Sequence, residues 1–304
     1  MNNEKIAVTG AFGYTGKYLT RRLLARGNQV ITLTGHPDRP NEFKGRVEAF
    51  PFHFENPDAL TASLLGVETL YNTYWVRFDH GERTFDRAVA NTRVLINCAQ
   101  AAGVQRLVHV SISNPSIDSH LPYFRGKALL EEAIQQSGLS YAILRPTVIF
   151  GREDVLINNI AYLLRRFPVF AVPGSGDYRL QPVFVEDMAE LAIQAGHEDK
   201  NLILDVVGPE IFTFDELVSL IAQVLGSRAR LIHLPPGLAL ALSRLVGLAV
   251  GDVVLTRDEL AGLSAGLLVS SLPPSGQTKF SEWVRENVQN LGREYASEIG
   301  RHYQ

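Results

Sequence analysis

Between residues 5 and 146, short apolar runs alternate with longer stretches whose apolar residues recur at helical spacing, and this alternation restricts the fold more than any other feature. The runs at 5–10, 29–35, 47–52, 67–73, 105–113 and 140–146 are predicted as strands, and the stretches at 14–27, 57–65, 81–102 and 123–137 as helices. A helix that returns the chain to the starting edge leaves the next strand parallel to the last. Helices then cover both faces of one sheet, and ligands are expected at the carboxyl ends of its strands.

After Pro146 the alternation loosens. A Gly/Pro-rich loop, "AVPGSGDYRLQP", and isolated short strands near Val183, Leu202 and Leu231 interrupt helical patterns. Two domains are expected: a sheet domain over 1–150, rejoined by the segment near 183–207, and a smaller, mostly helical region over 151–304 that serves substrate or partner. The stretch 279–303 is predicted as one helix with apolar and charged faces.

Composition narrows the function. With 46% hydrophobic and 20% charged residues the chain reads as an ordinary globular protein, and its net charge of −3 with no basic patch argues against nucleic acid. Cys98 stands alone, so no intramolecular disulfide is expected, and "MNNEKIAVTG" enters a strand without a signal-like run; a cytoplasmic setting follows. Residues 237–250 are the most apolar, but a span takes ~20 residues and Arg244 lies midway. A buried or interface helix is expected there, with contact to a membrane surface or a protein complex as the alternative. The eight histidines lack ligand spacing, so no metal is expected, and Glu186 and Asp187 read as a helix cap. Arg165, Arg166, Arg228 and Arg230 read as solvated charge, with contact to an anionic substrate or partner as the alternative. A serine-hydrolase reading is set aside.

The segment "VTGAFGYTGKYL" places Gly10, Gly13 and Gly16 between the first strand and the first helix. Positions without Cβ there permit a tight turn and close approach of a pyrophosphate, while the helix amino terminus supplies N–H donors and a favourable dipole. Dinucleotide binding is predicted, with Phe12 and Tyr14 in the same loop. Further on, "YFRGK" puts Tyr123 and Lys127 on one helix face, where an ammonium would favour the ionised phenol.

The glycine spacing, Tyr123 with Lys127, and the strand end "VHVSISN" resemble the short-chain dehydrogenase/reductase families, which implies a Rossmann-type, doubly wound parallel α/β sheet. The resemblance further implies that Tyr123 transfers a proton, Lys127 tunes it and holds the nicotinamide ribose, Ser113 steadies the substrate oxygen, and Ser111 contacts the cofactor. "ILRPTVIFGRED" followed by "QPVFVED" is similar to the atypical, extended branch: the NmrA-like and NAD-dependent epimerase/dehydratase group and the nucleotide-binding accessory subunit of respiratory complex I. Thr73, Tyr74, Pro146 and Val148 are then cofactor neighbours, and Phe54 flanks the adenine beside a surface His53. Trp75 and Arg77 line the substrate side or pack, and Asn91 serves a proton relay or a local hydrogen bond. The second strand has no acidic residue at its tip, while His36 and Arg39 follow it, so NADP(H) is favoured over NAD(H). The short segment between Ser113 and Tyr123 disfavours sugar-nucleotide epimerisation. The expected function is an NADP-dependent oxidoreductase acting on a small carbonyl or related substrate, with a non-catalytic NAD(P)H-binding sensor or assembly protein as the alternative.

Overall fold

A computed structural model describes residues 4–302. Along the chain the elements begin β1 (Lys5–Thr9), α1 (Tyr14–Ala25), β2 (Gln29–Thr34), β3 (Glu48–Pro51), α2 (Pro57–Ser63), β4 (Thr69–Asn72), α3 (Phe85–Ala101), β5 (Arg106–Val110), α4 (Pro122–Gln136) and β6 (Ser140–Pro146). There follow β7 (Ile149–Phe150), α5 (Leu156–Arg166), β8 (Val169–Pro173), β9 (Arg179–Leu180), β10 (Val183–Phe184), α6 (Val185–Gly196) and β11 (Leu202–Val206). The last are β12 (Phe212–Thr213), α7 (Phe214–Leu225), β13 (Arg230–Leu234), α8 (Pro236–Val250), α9 (Arg257–Ser264), α10 (Phe280–Asn287) and α11 (Glu298–His302). They form two compact units: the chain up to Pro146 with Met188–Asp205, and Thr147–Asp187 with the chain from Val206 on.

The first unit is built on a seven-stranded sheet in the order β11-β6-β5-β4-β1-β2-β3. From β6 to β3 the strands run parallel, as the alternation requires. Ala7, Ile31, Leu33, Leu70, Leu107 and Ile143 turn one face toward α2, α3 and α4, where Leu60, Leu64, Leu95 and Ile134 are fully or nearly fully buried. On α1, Arg22 and Arg26 reach Glu190 of α6 at 2.8 and 2.7 Å. Helix α6 packs so closely on the sheet that a Cβ at Gly196 would lie 2.1 Å from the Tyr71 hydroxyl.

Local chemistry sets the helix ends. Helix α3 starts at Phe85 rather than near residue 81, because Asp79 accepts the Phe85 N–H, Thr84 accepts the Arg87 N–H, and a bridge between His80 and Arg83 holds the preceding turn. Asn56 caps α2 ahead of Pro57.

The second unit has its own core, including Phe150, Ile157, Leu217, Ile221, Phe280 and Trp283. Three two-stranded sheets, β10-β7, β12-β9 and β13-β8, accompany its helices. The single helix predicted over 279–303 is instead α10 and α11 with a turn between. Gly292 has a φ of +64°, and a Cβ on it would lie 2.6 Å from that of Ala161; beyond it the Asn159 amide donates to the Ala296 carbonyl and accepts its N–H. Side-chain capture of the turn overrides the apolar periodicity.

At Gly16 a Cβ would stand 2.2 Å from the Gly10 carbonyl oxygen, whereas at Gly35 it would meet nothing within 4 Å. Gly16→Ala is therefore expected to cost about 3 kcal/mol or more and Gly35→Ala about 0.5 kcal/mol or less in urea unfolding. Equal losses would contradict the packing of α1 on the loop.

Candidate functional site

The glycine segment folds as a tight turn at the end of β1. Gly10 adopts a φ of +67°. Its N–H donates to the Leu33 carbonyl at 2.8 Å, and the Gly13 N–H donates to the Gly10 carbonyl at 2.8 Å. The Thr32 hydroxyl accepts the Ala11 N–H and donates to the Val8 carbonyl, which ties the turn to β2. Gly13 caps α1 in extended backbone without a side-chain bond, and the first turn carries no acidic residue. The positive end of the helix dipole therefore meets the loop with no carboxylate of its own to offset it. Phe12 packs near Phe43 at 6.3 Å, and the Tyr14 ring stands edge-on to Tyr18 at 5.8 Å.

Beyond β2 the His36 N–H donates to the Thr34 hydroxyl and the Arg39 N–H to the His36 carbonyl. His36 Nε2 is buried and has no hydrogen-bond partner among the described residues. An unsatisfied buried nitrogen suits a phosphate oxygen, and β2 and its tip carry no carboxylate before Asp38. Phe54 stacks on Phe52 at 4.8 Å, and both rings meet Tyr74. Asn91 donates to the Tyr74 hydroxyl at 3.0 Å, so it makes a local hydrogen bond; burial raises the Tyr74 phenol above its ordinary pKa. Thr73 donates through its hydroxyl to the Thr9 carbonyl. His53 is exposed.

Tyr123 and Lys127 lie one turn apart on α4. Lys127 is 2% exposed, and its Nζ donates to the Val110 carbonyl at the end of β5 at 2.7 Å. Burial pushes its ammonium down to about 7, with Glu131 opposing the shift. The Trp75 indole joins the pair: Lys127 Nζ lies 4.5 Å from the ring centre and the Tyr123 ring stands edge-on at 5.7 Å. Trp75 fits because position 126 is glycine, where a Cβ would approach its ring to 2.8 Å. Trp75 thus packs against α4.

Just past β5, Ser113 is fully buried and its N–H donates to the Pro146 carbonyl. The Ser111 hydroxyl donates to Glu131, so only its lone pairs remain to meet a cofactor. Glu131 is 3% exposed and is held by Arg145 at 2.5 Å. Sequence reasoning missed Glu131 and Arg145, although Glu131 follows Lys127 by one helical turn. It missed equally the buried network of Thr9, Asn72 and His109.

The expected site residues, from Gly10 to Pro146, belong to the first unit, and Val148 to the second, where its carbonyl accepts the Val183 N–H. Asp187 does not cap its own helix as read from sequence: its carboxylate accepts the N–H groups of Gln277 and Thr278. Arg165 and Arg166 likewise donate to backbone carbonyls from Val288 to Arg293, because the chain after α10 turns its C=O groups toward them. Among the described residues no group of His, Cys, Asp or Glu is arranged to hold a metal ion.

Residues 10–156 match the family profile described as NAD(P)H-binding. Among curated proteins the chain is similar to the mitochondrial NADH dehydrogenase (ubiquinone) 1 alpha subcomplex subunit 9 of Arabidopsis thaliana, 26% identical over 86% of this chain and 70% of that one. The Dictyostelium discoideum protein of the same name is 25% identical, and the match spans 70% of this chain but only 62% of that relative. Among solved structures, the NADPH complex of an NADPH-dependent quinone oxidoreductase from Escherichia coli superposes with a TM-score of 0.75 at 23% identity, covering 94% of this chain and 99% of that one. A UDP-glucose 4-epimerase from Thermotoga maritima gives 0.67 at 19%, with coverage of 94% and 98%. At these identities the structural likeness establishes the Rossmann-like fold alone.

Lys127 makes stability depend on pH. With its pKa lowered from 10.5 to about 7, the folded chain holds it neutral above neutrality while the unfolded chain still binds the proton, so stability rises as pH rises toward 10.5. Between pH ~7 and ~9 the wild type should gain about 2 kcal/mol relative to Lys127→Met in urea unfolding. Parallel pH profiles for the two proteins would show that burial does not depress this lysine.

Proposed function

We propose that this chain, whose residues 10–156 match the NAD(P)H-binding family profile, is an NADP(H)-preferring oxidoreductase acting on a small carbonyl or related group. The observation that carries this reading is Lys127, buried and poised near neutrality one helical turn from Tyr123, and bonded to the strand end that leads into Ser111 and Ser113.

The loop of Gly10, Gly13 and Gly16, with Phe12 and Tyr14, would hold the pyrophosphate at the uncapped end of α1. His36 and Arg39 would meet a 2′-phosphate, and Phe54, Thr73 and Tyr74 would border the dinucleotide. When bound, NADP(H) supplies or accepts the hydride. Tyr123 passes the proton between its phenol and the substrate oxygen, the Lys127 ammonium favours the phenolate, and the Ser113 hydroxyl donates to the same oxygen as charge develops there. The substrate class is thus one whose oxygen gains a proton as the adjacent carbon gains a hydride.

A second reading rests on a specific contact. Trp75 lies over Lys127, and a lysine so covered also suits a protein that binds NAD(P)H without turnover, as a redox sensor or an assembly component.

Calorimetric titration with NADPH, NADP, NADH and NAD separates these ideas. NADPH is expected to bind more tightly than NADH, and His36→Ala with Arg39→Ala should weaken NADPH about tenfold while leaving NADH nearly unchanged. Tyr123→Phe should lower kcat on a carbonyl substrate by about a hundredfold or more with little change in NADPH affinity. Binding without turnover on any carbonyl tried would favour the sensor, and no binding of all four nucleotides would defeat both readings.

A further inference from the structure

Helix α8 inverts the usual arrangement of a surface helix. Its buried positions are small, Ala239 and Gly247, while Leu240, Ser243, Val246 and Val250 are half-buried. Its outward positions are leucines: Leu238, Leu242, Leu245 and Leu248 are 49%, 38%, 63% and 81% exposed. A helix that met only water on this side would carry polar residues there, and a cluster of leucines marks a contact surface. Just before the helix, the outer face of the β8-β13 pair adds exposed Val169 and Ile232, with Arg230 beside Val169 in register.

The stretch of chain that carries these leucines holds charges of one sign. From residue 217 to 251 there is no Asp or Glu, while Arg228, Arg230 and Arg244 are all exposed. On β13, His233 Nε2 bonds to the Asp215 carboxylate at 2.8 Å. We infer that α8 and the arginines beside it form a docking surface for anionic lipid headgroups, with the helix lying in the plane of the membrane interface and its leucines entering the acyl boundary.

Three features select this occupant. The first is length: a 15-residue helix is about 22 Å long against a hydrocarbon thickness of ~30 Å, and no helix among the described residues is long and apolar enough to cross a membrane. The second is composition: the outward face offers no aromatic or methionine anchor of the kind that enriches protein interfaces, only leucine, alanine and Arg244. The third is charge: Arg228, Arg230 and Arg244, exposed in a stretch of chain without Asp or Glu, complement a negatively charged leaflet. This inference stands on the second unit alone and is independent of the proposed chemistry.

Co-sedimentation of the full chain with phosphatidylcholine vesicles, with and without phosphatidylglycerol, tests it. The wild type should pellet with the anionic vesicles, be released by high salt, and bind pure phosphatidylcholine at least about tenfold more weakly. Leu245→Glu with Leu248→Glu should reduce binding to anionic vesicles at least about tenfold while the urea midpoint stays unchanged, since both side chains are exposed. Arg244→Glu should also weaken it, through charge alone. No binding to either vesicle, equal binding to both, or undiminished binding by the double variant would overturn the inference. So would a dimer by light scattering that the double variant converts to monomer without any vesicle affinity, because the occupant would then be a second copy of the chain.

Discussion

The site edge of the first unit depends on one hydroxyl. A parallel sheet leaves unpaired N–H groups where its strands end, and here Thr9 answers for three strands at once. Its hydroxyl donates to the Asn72 carboxamide oxygen and accepts the N–H groups of Thr73 and Tyr74, while its carbonyl accepts the Thr73 hydroxyl at 2.6 Å. Asn72 in turn donates to His109 Nδ1 on β5 at 3.0 Å. The ends of β1, β4 and β5 are thereby fixed relative to each other by buried bonds, each of which would leave an unsatisfied group if broken. The glycine turn leaves from β1, and Tyr74 and Trp75 leave from β4, so both halves of the candidate site inherit their placement from this knot.

Beside the knot, burial brings Lys127 toward neutrality. Burial, and then the Lys127 charge, hold His109 well below its ordinary pKa. Because Asn72 donates to Nδ1, the neutral ring must carry its proton on Nε2, which is buried without a partner. The Glu131 carboxylate is held by Arg145 and accepts the Ser111 hydroxyl. Lys127 has no such full partner: a backbone carbonyl and an indole face stabilise an ammonium less than a carboxylate contact does, and its proton is correspondingly loose. A neutral imidazole and a labile ammonium thus lie near the carboxylate that Arg145 and Ser111 hold.

How much of this was legible in the sequence depends on the range of the interactions involved. The βα alternation and the glycine turn rest on spacing within one or two elements, and β6 falls on the residues read from sequence, Ser140–Pro146. The place where periodicity failed is a long-range side-chain bond: Asn159 breaks the helix after α10 from more than a hundred residues away. Glu131 escaped notice because a carboxylate on a helix reads as solvent-facing until Ser111, just past β5, and Arg145, on β6, are seen to converge on it. Trp75 was legible as a packing residue but not as the cover of Lys127, since that contact requires Gly126 to be recognised as space for an indole.

The same logic explains why the leucines of α8 are held outward instead of collapsing. Gly247 accepts the Asp252 N–H through its carbonyl, and a Cβ there would stand 2.5 Å from the Asp252 carbonyl oxygen, so the end of the helix is folded tightly onto the following turn. Asp252 is itself buried and accepts the N–H groups of Glu298 and Ile299, where α11 begins. The opposite end is set by Pro236 in the first turn and by β13, which runs in register with β8 immediately before it. Anchored at both ends, the helix cannot rotate its apolar stripe inward without breaking these bonds. Ala239, Ser243 and Gly247 on the inner side leave no room on that face for leucines. The exposure of the stripe is therefore a property of the packed structure and not of a frayed segment.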